Sequence, residues 1–512
     1  MAKAIMVQGT MSNAGKSILV SALCHIFKQD GRKVAPFKSQ NMALNSFITR
    51  DGLEMGRAQV TQAEAAGVEP DVRMNPILLK PEHDQGSQVI LHGEVWDTVT
   101  ARNYYAMKSK LVPEVMKAYD SLASEFDIIV IEGAGSAAEL NLAKDDFVNM
   151  GMAKMAKTPV LLVGDIDRGG IFAQLYGTVK VLPDDESALI KALIVNKFRG
   201  DISLFDDGVT ILEDICGKPV AGVVPYLNVD IDDEDSPAER MARKREHSVL
   251  DIAVIFLPHI SNFTDFAALE ATPDVKVRYV KEPYRLGNPD LVIIPGSKST
   301  IFDMLRLREC GLEAAVKQLA NRGVPILGIC GGYQILGASI NDSEGAEGGG
   351  AVAGMNLLPV ATEFAAEKHR TRVTAAALEI GGIFAPLTGS ALEGYEIHMG
   401  VSTLKDGAKP LLKLSNGTLD GCWFGNVYGT YLHGFFDSTE CRDAILGALC
   451  KSKGVTLSAG AFDFAAHKER NYDLLAQGVR DALDMRLIYR ILEEGALMNG
   501  IDNINGLTLQ RT

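Results

Sequence analysis

Cys330 stands between an apolar run, Ile326 to Ile329, and two glycines, Gly331 and Gly332, ahead of a helix-like segment from Tyr333. Strand, sharp turn and helix in that order lift a thiol out of a sheet and leave uncrowded backbone N–H groups beside it. Those are the parts of an acyl-transfer site: a nucleophile, and an oxyanion hole for which the Gly331 N–H is the candidate donor. A thiol needs a base to become a thiolate. His433, in GTYLHGFF, is the candidate, and its distance along the chain is no obstacle because folds bring such pairs together. The motif alone leaves a second reading open, a buried structural cysteine beside a tight turn.

A second constellation could handle phosphate. GTMSNAGKS (9–17) follows the apolar run KAIMVQG and precedes a segment with apolar residues at helical spacing. Backbone N–H groups of such a loop, with Gly9, Thr10, Asn13 and Gly15 in it, cradle phosphates. Lys16 reaches the outer ones, and the Ser17 hydroxyl can face Mg²⁺. The ordinary pattern has a glycine five positions before the glycine that precedes the lysine; Thr10 stands there, and Gly9 one position earlier. Lys38 is a candidate second phosphate contact, against a solvated lysine. Asp51 and Glu54 could touch metal or substrate, or simply favour a helix N-terminus. Glu132 closes the apolar run FDIIVIE, where an acid is well placed for Mg²⁺ or its water shell; Asp165 and Asp167 repeat the pattern. Asn196 and Lys197 end a further run and could read a base edge and pack along its ring. Glu396 and His398 share one face of a strand, which suits metal or substrate, or a polar pair at a domain contact.

These groups need a scaffold, and the chain supplies one. At least five apolar strand candidates alternate with helices in the first half, which predicts an α/β protein with a mainly parallel sheet. Ligands then belong beyond the carboxyl ends of the strands, where the groups above fall. MNPILLKP (74–81), with a proline at each end of an apolar core, reads as a short rigid piece. The charged stretch 229–248 separates a first domain, 1–228, from a second, 249–512, with new strands at 250–258, 275–280, 290–300 and 324–330. SNFTDFAALE reads as loop and helix with Ser261 or Asn262 as cap, and the glycine-rich 341–354 as a flexible exposed loop. In the tail, Leu474, Leu475, Val479, Leu483, Leu487 and Ile491 keep helical register, as in a docked helix.

The 512 residues are 47% hydrophobic and 23% charged, with a net charge of −14, which argues against a general nucleic-acid binder. Seven scattered cysteines without a CxxC pair fit a reducing compartment, and no long apolar run or signal-like N-terminus appears. A cytoplasmic enzyme without membrane insertion is expected.

Taken together, GTMSNAGKS, APFKSQNMALNS, MNPILLKP, IEGAGSAAE, VGDIDRGG and VNKFRGD with PILGICGGYQILG, EGYEIHMG and GTYLHGFF resemble the adenosylcobyric acid synthase family over nearly the whole chain. The resemblance implies a dethiobiotin-synthetase-like, phosphate-loop NTPase-like domain, whose members share the offset loop. It implies a flavodoxin-like class I glutamine amidotransferase domain after it, with Gly328, Cys330 and Gly332 in the G-x-C-x-G motif and His433 as the histidine. It further implies a glutamine-hydrolysing carbon–nitrogen ligase using ATP and Mg²⁺, with adenosylcobyrinic acid a,c-diamide as acceptor. ATP would be bound by Gly9, Thr10, Asn13, Gly15, Lys16, Ser17, Lys38, Asn196 and Lys197, and the metal by Ser17, Asp51 and Glu132. Many class I domains carry His-x-Glu; here Gly434 and Phe435 follow His433, so another group must orient the histidine or the Cys–His pair must suffice. The related cobyrinic acid a,c-diamide synthase, a ligase for another large acid, and a nucleotide-gated partitioning ATPase remain as other readings; oligomeric state stays open.

Overall fold

The computed structural model describes residues 2–83, 86–142, 144–231, 248–458 and 462–497. Most of the charged stretch expected to link the domains, 232–247, lies outside the described residues. Among those described, no helix is long and apolar enough to cross a membrane.

The first domain is built on a parallel six-stranded sheet. Its order is Val220–Pro225, Ile190–Phe198, Val160–Asp165, Lys3–Gly9, Ile128–Glu132, Val34–Phe37. Both faces are covered, so each strand is apolar on both sides. Met6, Ile129 and Ile131 join one buried cluster; Ile5, Val7, Ile128 and Val130 join the other. The outward alternation puts Gly9, Glu132, Asp165 and Asn196 at the carboxyl edge, as expected. A smaller sheet, ordered Gln40–Met42, Ile77–His83, Gly86–Leu91, Glu94–Thr100, flanks that edge. The MNPILLKP segment is therefore mainly strand rather than an isolated rigid piece.

The second domain has a parallel run, Val275–Val280, Leu250–Ile255, Leu291–Ile294, Ile326–Ile329, Val427–Thr430, continued by antiparallel strands Leu419–Phe424 and Lys409–Leu414 and the long hairpin Val360–Ala377/Ala391–Leu404. The glycine-rich 341–354 is more ordered than its composition suggests. The buried Asp342 carboxylate accepts the N–H groups of Ala346, Glu347 and Gly349, and Gly350–Ala353 pairs back on Ser339–Asp342.

The tail corrects the expected boundary of 249–512. Helices Phe464–Ala482 and Met485–Glu494 bury Leu475, Val479, Leu483, Leu487 and Ile491 in the first domain's core, against Ile5, Val7, Leu19 and Leu23. An amphipathic stripe shows that a helix has a partner and not which one. The register also breaks: Leu474 is 62% exposed, and Asp484 caps a new helix through the N–H groups of Arg486 and Leu487. Leu475→Ala is expected to cost about 2–5 kcal/mol and Leu474→Ala within about 0.5 kcal/mol. Chemical denaturation followed by loss of nucleotide binding checks both, and equal effects would contradict this docking.

Candidate functional site

Strand Ile326–Ile329 is wholly buried and delivers Cys330 to a turn with φ 53° and ψ −111°, from which helix Gly331–Leu336 starts at once. A left-handed φ is strained for a side-chain-bearing residue and is held only where packing dictates it. The two motif glycines explain that packing: a Cβ on Gly332 would lie 1.9 Å from the Ile294 oxygen, and one on Gly328 would lie 2.6 Å from the Gly332 carbonyl. The Cys330 N–H donates to the Thr430 oxygen at 2.8 Å, which locks the turn to the next strand. The Gly331 N–H opens the helix, and the backbone of Ser297 lies against it.

His433 is buried and lines the same cavity as Cys330, whose thiol lies 3.5 Å from the Ile397 oxygen. Its Nδ1 meets Asp265 Oδ2 at 2.7 Å, while the Gly434 N–H donates to Asp265 Oδ1 at 3.1 Å. Tyr395 stacks on the imidazole with ring centroids 5.2 Å apart. Burial pulls the imidazole pKa down, but the Asp265 carboxylate and Cys330 more than offset it, so that it is pushed up to about 10. Sulfur, imidazole and carboxylate thus have the arrangement that a nucleophilic triad requires. Asp265 was not among the sequence candidates. It lies in a 3₁₀ turn, Phe263–Phe266, and Asn262, expected as a cap, instead reaches the Ser46 N–H and the Tyr395 hydroxyl.

At the other centre, Asn13 (φ 61°) and Gly15 (φ 93°) turn the loop left-handed around the space before helix Lys16–Gln29. The Lys16 ammonium donates to the carbonyls of Met11 and Gly135 at 3.1 and 3.0 Å. Thr10 Oγ1 donates to Gln174 Oε1. The wholly buried Glu132 accepts from Ser17 Oγ and Lys38 Nζ, both at 2.8 Å, and from Gln62 Nε2. Burial alone would raise this carboxyl; the Lys38 ammonium and the three hydrogen bonds hold it below its ordinary value. Ser17 Oγ and the Glu132 oxygens are hard donors, and Gln62 Oε1 beside them is buried with no hydrogen-bond partner among the described residues. That set suits Mg²⁺.

The two centres share a wall. Lys80 and Lys368 line the Cys330 cavity, and the Glu54 carboxylate joins them at 2.8 and 2.7 Å, one lysine from each domain. Burial pulls the Lys368 ammonium down to about 7 in spite of that carboxylate. Leu79 and Ser87 of the small sheet face a cavity of about 680 Å³ beside the phosphate loop. Their neighbours Lys80 and Gln88 face the thiol side, Gln88 through Lys368. Period-two alternation makes one sheet a partition with a chemical face on each side.

Residues 5–237 match the CobQ/CobB/MinD/ParA nucleotide binding domain, and residues 251–441 the CobB/CobQ-like glutamine amidotransferase domain. The chain is 55% identical to the cobyric acid synthase of Ruminiclostridium cellulolyticum over 99% of its own length and 100% of that relative's. It is 54% identical to that of Lachnoclostridium phytofermentans and 50% identical to that of Citrobacter koseri, over 97% and 96% of the chain and 100% and 99% of the relatives. The chain belongs to the cobyric acid synthase family.

Of the residues singled out by resemblance to cobyric acid synthases, Cys330 and His433 come together, as do Ser17, Lys38 and Glu132. Asn196 and Lys197 reach the loop's own backbone: Asn196 Nδ2 donates to the Ala14 oxygen at 2.9 Å and Lys197 Nζ to the Asn13 oxygen at 2.5 Å. Lys197 also pairs with Asp165 at 3.2 Å, so both brace the loop from the strand beyond Val160–Asp165. Asp51 stands exposed at the turn between strands Ser46–Ile48 and Glu54–Gly56, and the buried acid of this segment is Glu54. Glu396 and His398 lie with His369 in a group whose ligand atoms are within 4.8 Å of one another. His369 and Glu396 are joined at 3.3 Å, and the His398 ring stacks on Tyr431 with centroids 3.8 Å apart at the edge of the thiol cavity.

Proposed function

We propose that this chain amidates carboxylates b, d, e and g of adenosylcobyrinic acid a,c-diamide to give adenosylcobyric acid, using glutamine and ATP, with one half-reaction on each side of the partition. The observation that carries the coupled reading is that adjacent residues of one strand, Leu79 and Lys80, line the phosphate-side cavity and the thiol cavity.

On the thiol side, the Cys330 sulfur attacks the glutamine side-chain amide carbon. The Gly331 N–H, helped by the adjacent Ser297 backbone, stabilises the oxyanion. His433 passes its proton to the nitrogen as the C–N bond breaks, ammonia leaves, and water releases glutamate from the thioester while His433 takes up the proton. Asp265 holds the imidazole in the tautomer that points Nε2 at the sulfur. On the phosphate side, the acceptor carboxylate takes the γ-phosphoryl group of ATP and ADP leaves. Ammonia then attacks the acyl phosphate, and phosphate departs. Lys16 and Lys38 balance phosphate charge as it shifts. Ser17 and Glu132 would hold Mg²⁺, which when bound neutralises the same charge. The cysteines, none of them in a disulfide, suit the reducing cytoplasm as the place of work.

Mass spectrometry of the acceptor incubated with enzyme, Mg·ATP and amide-labelled glutamine tests this. Four label additions are expected, lost in Cys330→Ala and restored there by ammonia. No mass change with folded, ATP-binding enzyme would overturn the corrinoid assignment.

A further inference from the structure

The cavity of about 680 Å³ on the phosphate side of the partition is not used by any residue in the steps above. It begins at the turn after Glu132, where the Gly135 carbonyl receives the Lys16 ammonium, so it is continuous with the place where the γ-phosphoryl group must emerge. Its volume is in the range of small-molecule sites. Its mouth is apolar and open: Met42, Tyr105, Leu140 and Leu142 are 60%, 44%, 52% and 38% exposed. Large apolar side chains left in water around one opening mark a surface that a ligand covers.

One cation lines this cavity with its stem buried. Lys108 is 7% exposed, and its ammonium lies over the faces of Tyr105 and Phe147, 5.1 and 5.4 Å from the ring centroids. Among the described residues it has no hydrogen bond or ion pair. Asp145 and Asp146 are the nearby acids. The Asp146 oxygens accept the N–H groups of Val148, Asn149 and Gly151 at 2.8, 3.1 and 2.8 Å, which fixes the carboxylate in its own turn. The other lysine of the cavity, Lys154, is paired with Asp185 and Glu186 at 2.7 and 2.9 Å. Asp145 and Asp146 act on this ammonium only from beyond hydrogen-bond distance, and with the ring faces they offset only part of the cost of holding it largely out of water. An incoming anion would recover the rest.

We propose that this cavity receives the acceptor, with Lys108 binding one of its carboxylates and the apolar mouth covering its ring system. This rests on the amidation reading and names the site within it. Lys108 is then a positioning residue that sets acceptor affinity and orientation; it takes no part in glutamine hydrolysis.

The test is steady-state kinetics of Lys108→Met and Lys108→Arg with the corrinoid acceptor, alongside nucleotide binding and thermal unfolding. A charge-assisted hydrogen bond to a carboxylate corresponds to roughly a 10–150-fold change in equilibrium. Lys108→Met should therefore raise the acceptor KM by about that factor, with the ATP affinity unchanged and Tm equal or higher, because a lone buried cation is replaced by an apolar chain of similar shape. Lys108→Arg should recover part of the loss. An unchanged KM in Lys108→Met, or a lowered Tm that accounts for the loss of activity, overturns the proposal. Failure of the wild-type enzyme to label this acceptor overturns the amidation reading itself, which separates the two.

Discussion

Asp265→Asn should slow glutamine-dependent amidation by roughly 10²–10⁴-fold, the scale seen when the orienting acid of such a triad is made neutral, while ammonia-dependent amidation persists. The carboxylate is used at both oxygens, by His433 Nδ1 at 2.7 Å and by the Gly434 N–H at 3.1 Å, and both side chains are buried. An asparagine can satisfy only one of these donors. If its oxygen keeps Gly434, its NH₂ faces Nδ1 and forces the imidazole to carry its proton on Nε2, toward the sulfur. The histidine can then no longer take the thiol proton. The pH dependence follows the same logic. The folded His433 pKa is raised from 6.5 to about 10, so the imidazolium's contribution to stability is complete below the unfolded value and is lost as pH rises through about 10. Removing the Asp265 charge leaves burial opposed by Cys330 alone, which moves this loss to lower pH. A glutaminase pH–rate profile reads both effects: the basic limb of the Cys–His pair lies high in the wild type and falls in the variant. An unchanged rate and an unmoved limb would make Asp265 a purely structural residue.

Asp265 also shows where sequence reading stops. Cys330 was legible because its chemistry is local: an apolar strand, one residue forced to positive φ, and glycines whose absent side chains allow the helix to pack. The phosphate loop is legible for the same reason. Asp265 acts on a residue far along the chain and leaves no periodic mark. The one hint is an acid between Phe263 and Phe266 in a segment whose other apolar residues are buried, which leaves it little water to face. Asp51 and Glu54 were indistinguishable as two acids near an expected helix start. What separates them is a hairpin that places Asp51 at its turn and pairs Ile48 with Glu54, turning the latter toward Lys80 and Lys368. The tail's periodicity marks a docked face, but its partner is the first domain, because hydrophobic periodicity encodes a buried face and carries no address. Asn196 and Lys197 sit at the expected strand end; what the residue types alone could not give was that their donors point at the loop backbone.

Glu132→Gln should reduce ATP-dependent acceptor activation by about 10²–10³-fold, comparable to loss of one preorganised electrostatic contact, and leave glutamine hydrolysis intact. The change keeps an oxygen for Ser17 but removes the charge that Lys38 faces at 2.8 Å inside the protein. Two consequences are separable. The first is stability: an uncompensated buried ammonium costs about 3–5 kcal/mol. Because the folded Glu132 pKa lies below its ordinary value, the wild-type contribution is present above the unfolded carboxylate range and disappears as pH falls through the folded value. The variant should lack that acid-sensitive component. The second is catalysis: a neutral amide is a poor ligand for a divalent cation and does not balance Lys38 against phosphate. Adding Lys38→Met to Glu132→Gln removes the stranded charge, so the pair should regain much of the stability and none of the activity. Trapping the activated carboxylate with hydroxylamine, in the presence of Mg·ATP and no ammonia source, measures the activation step directly. If the double variant recovered hydroxamate formation along with stability, Glu132 would serve only to hold Lys38 in the fold, and the metal would have to be held elsewhere.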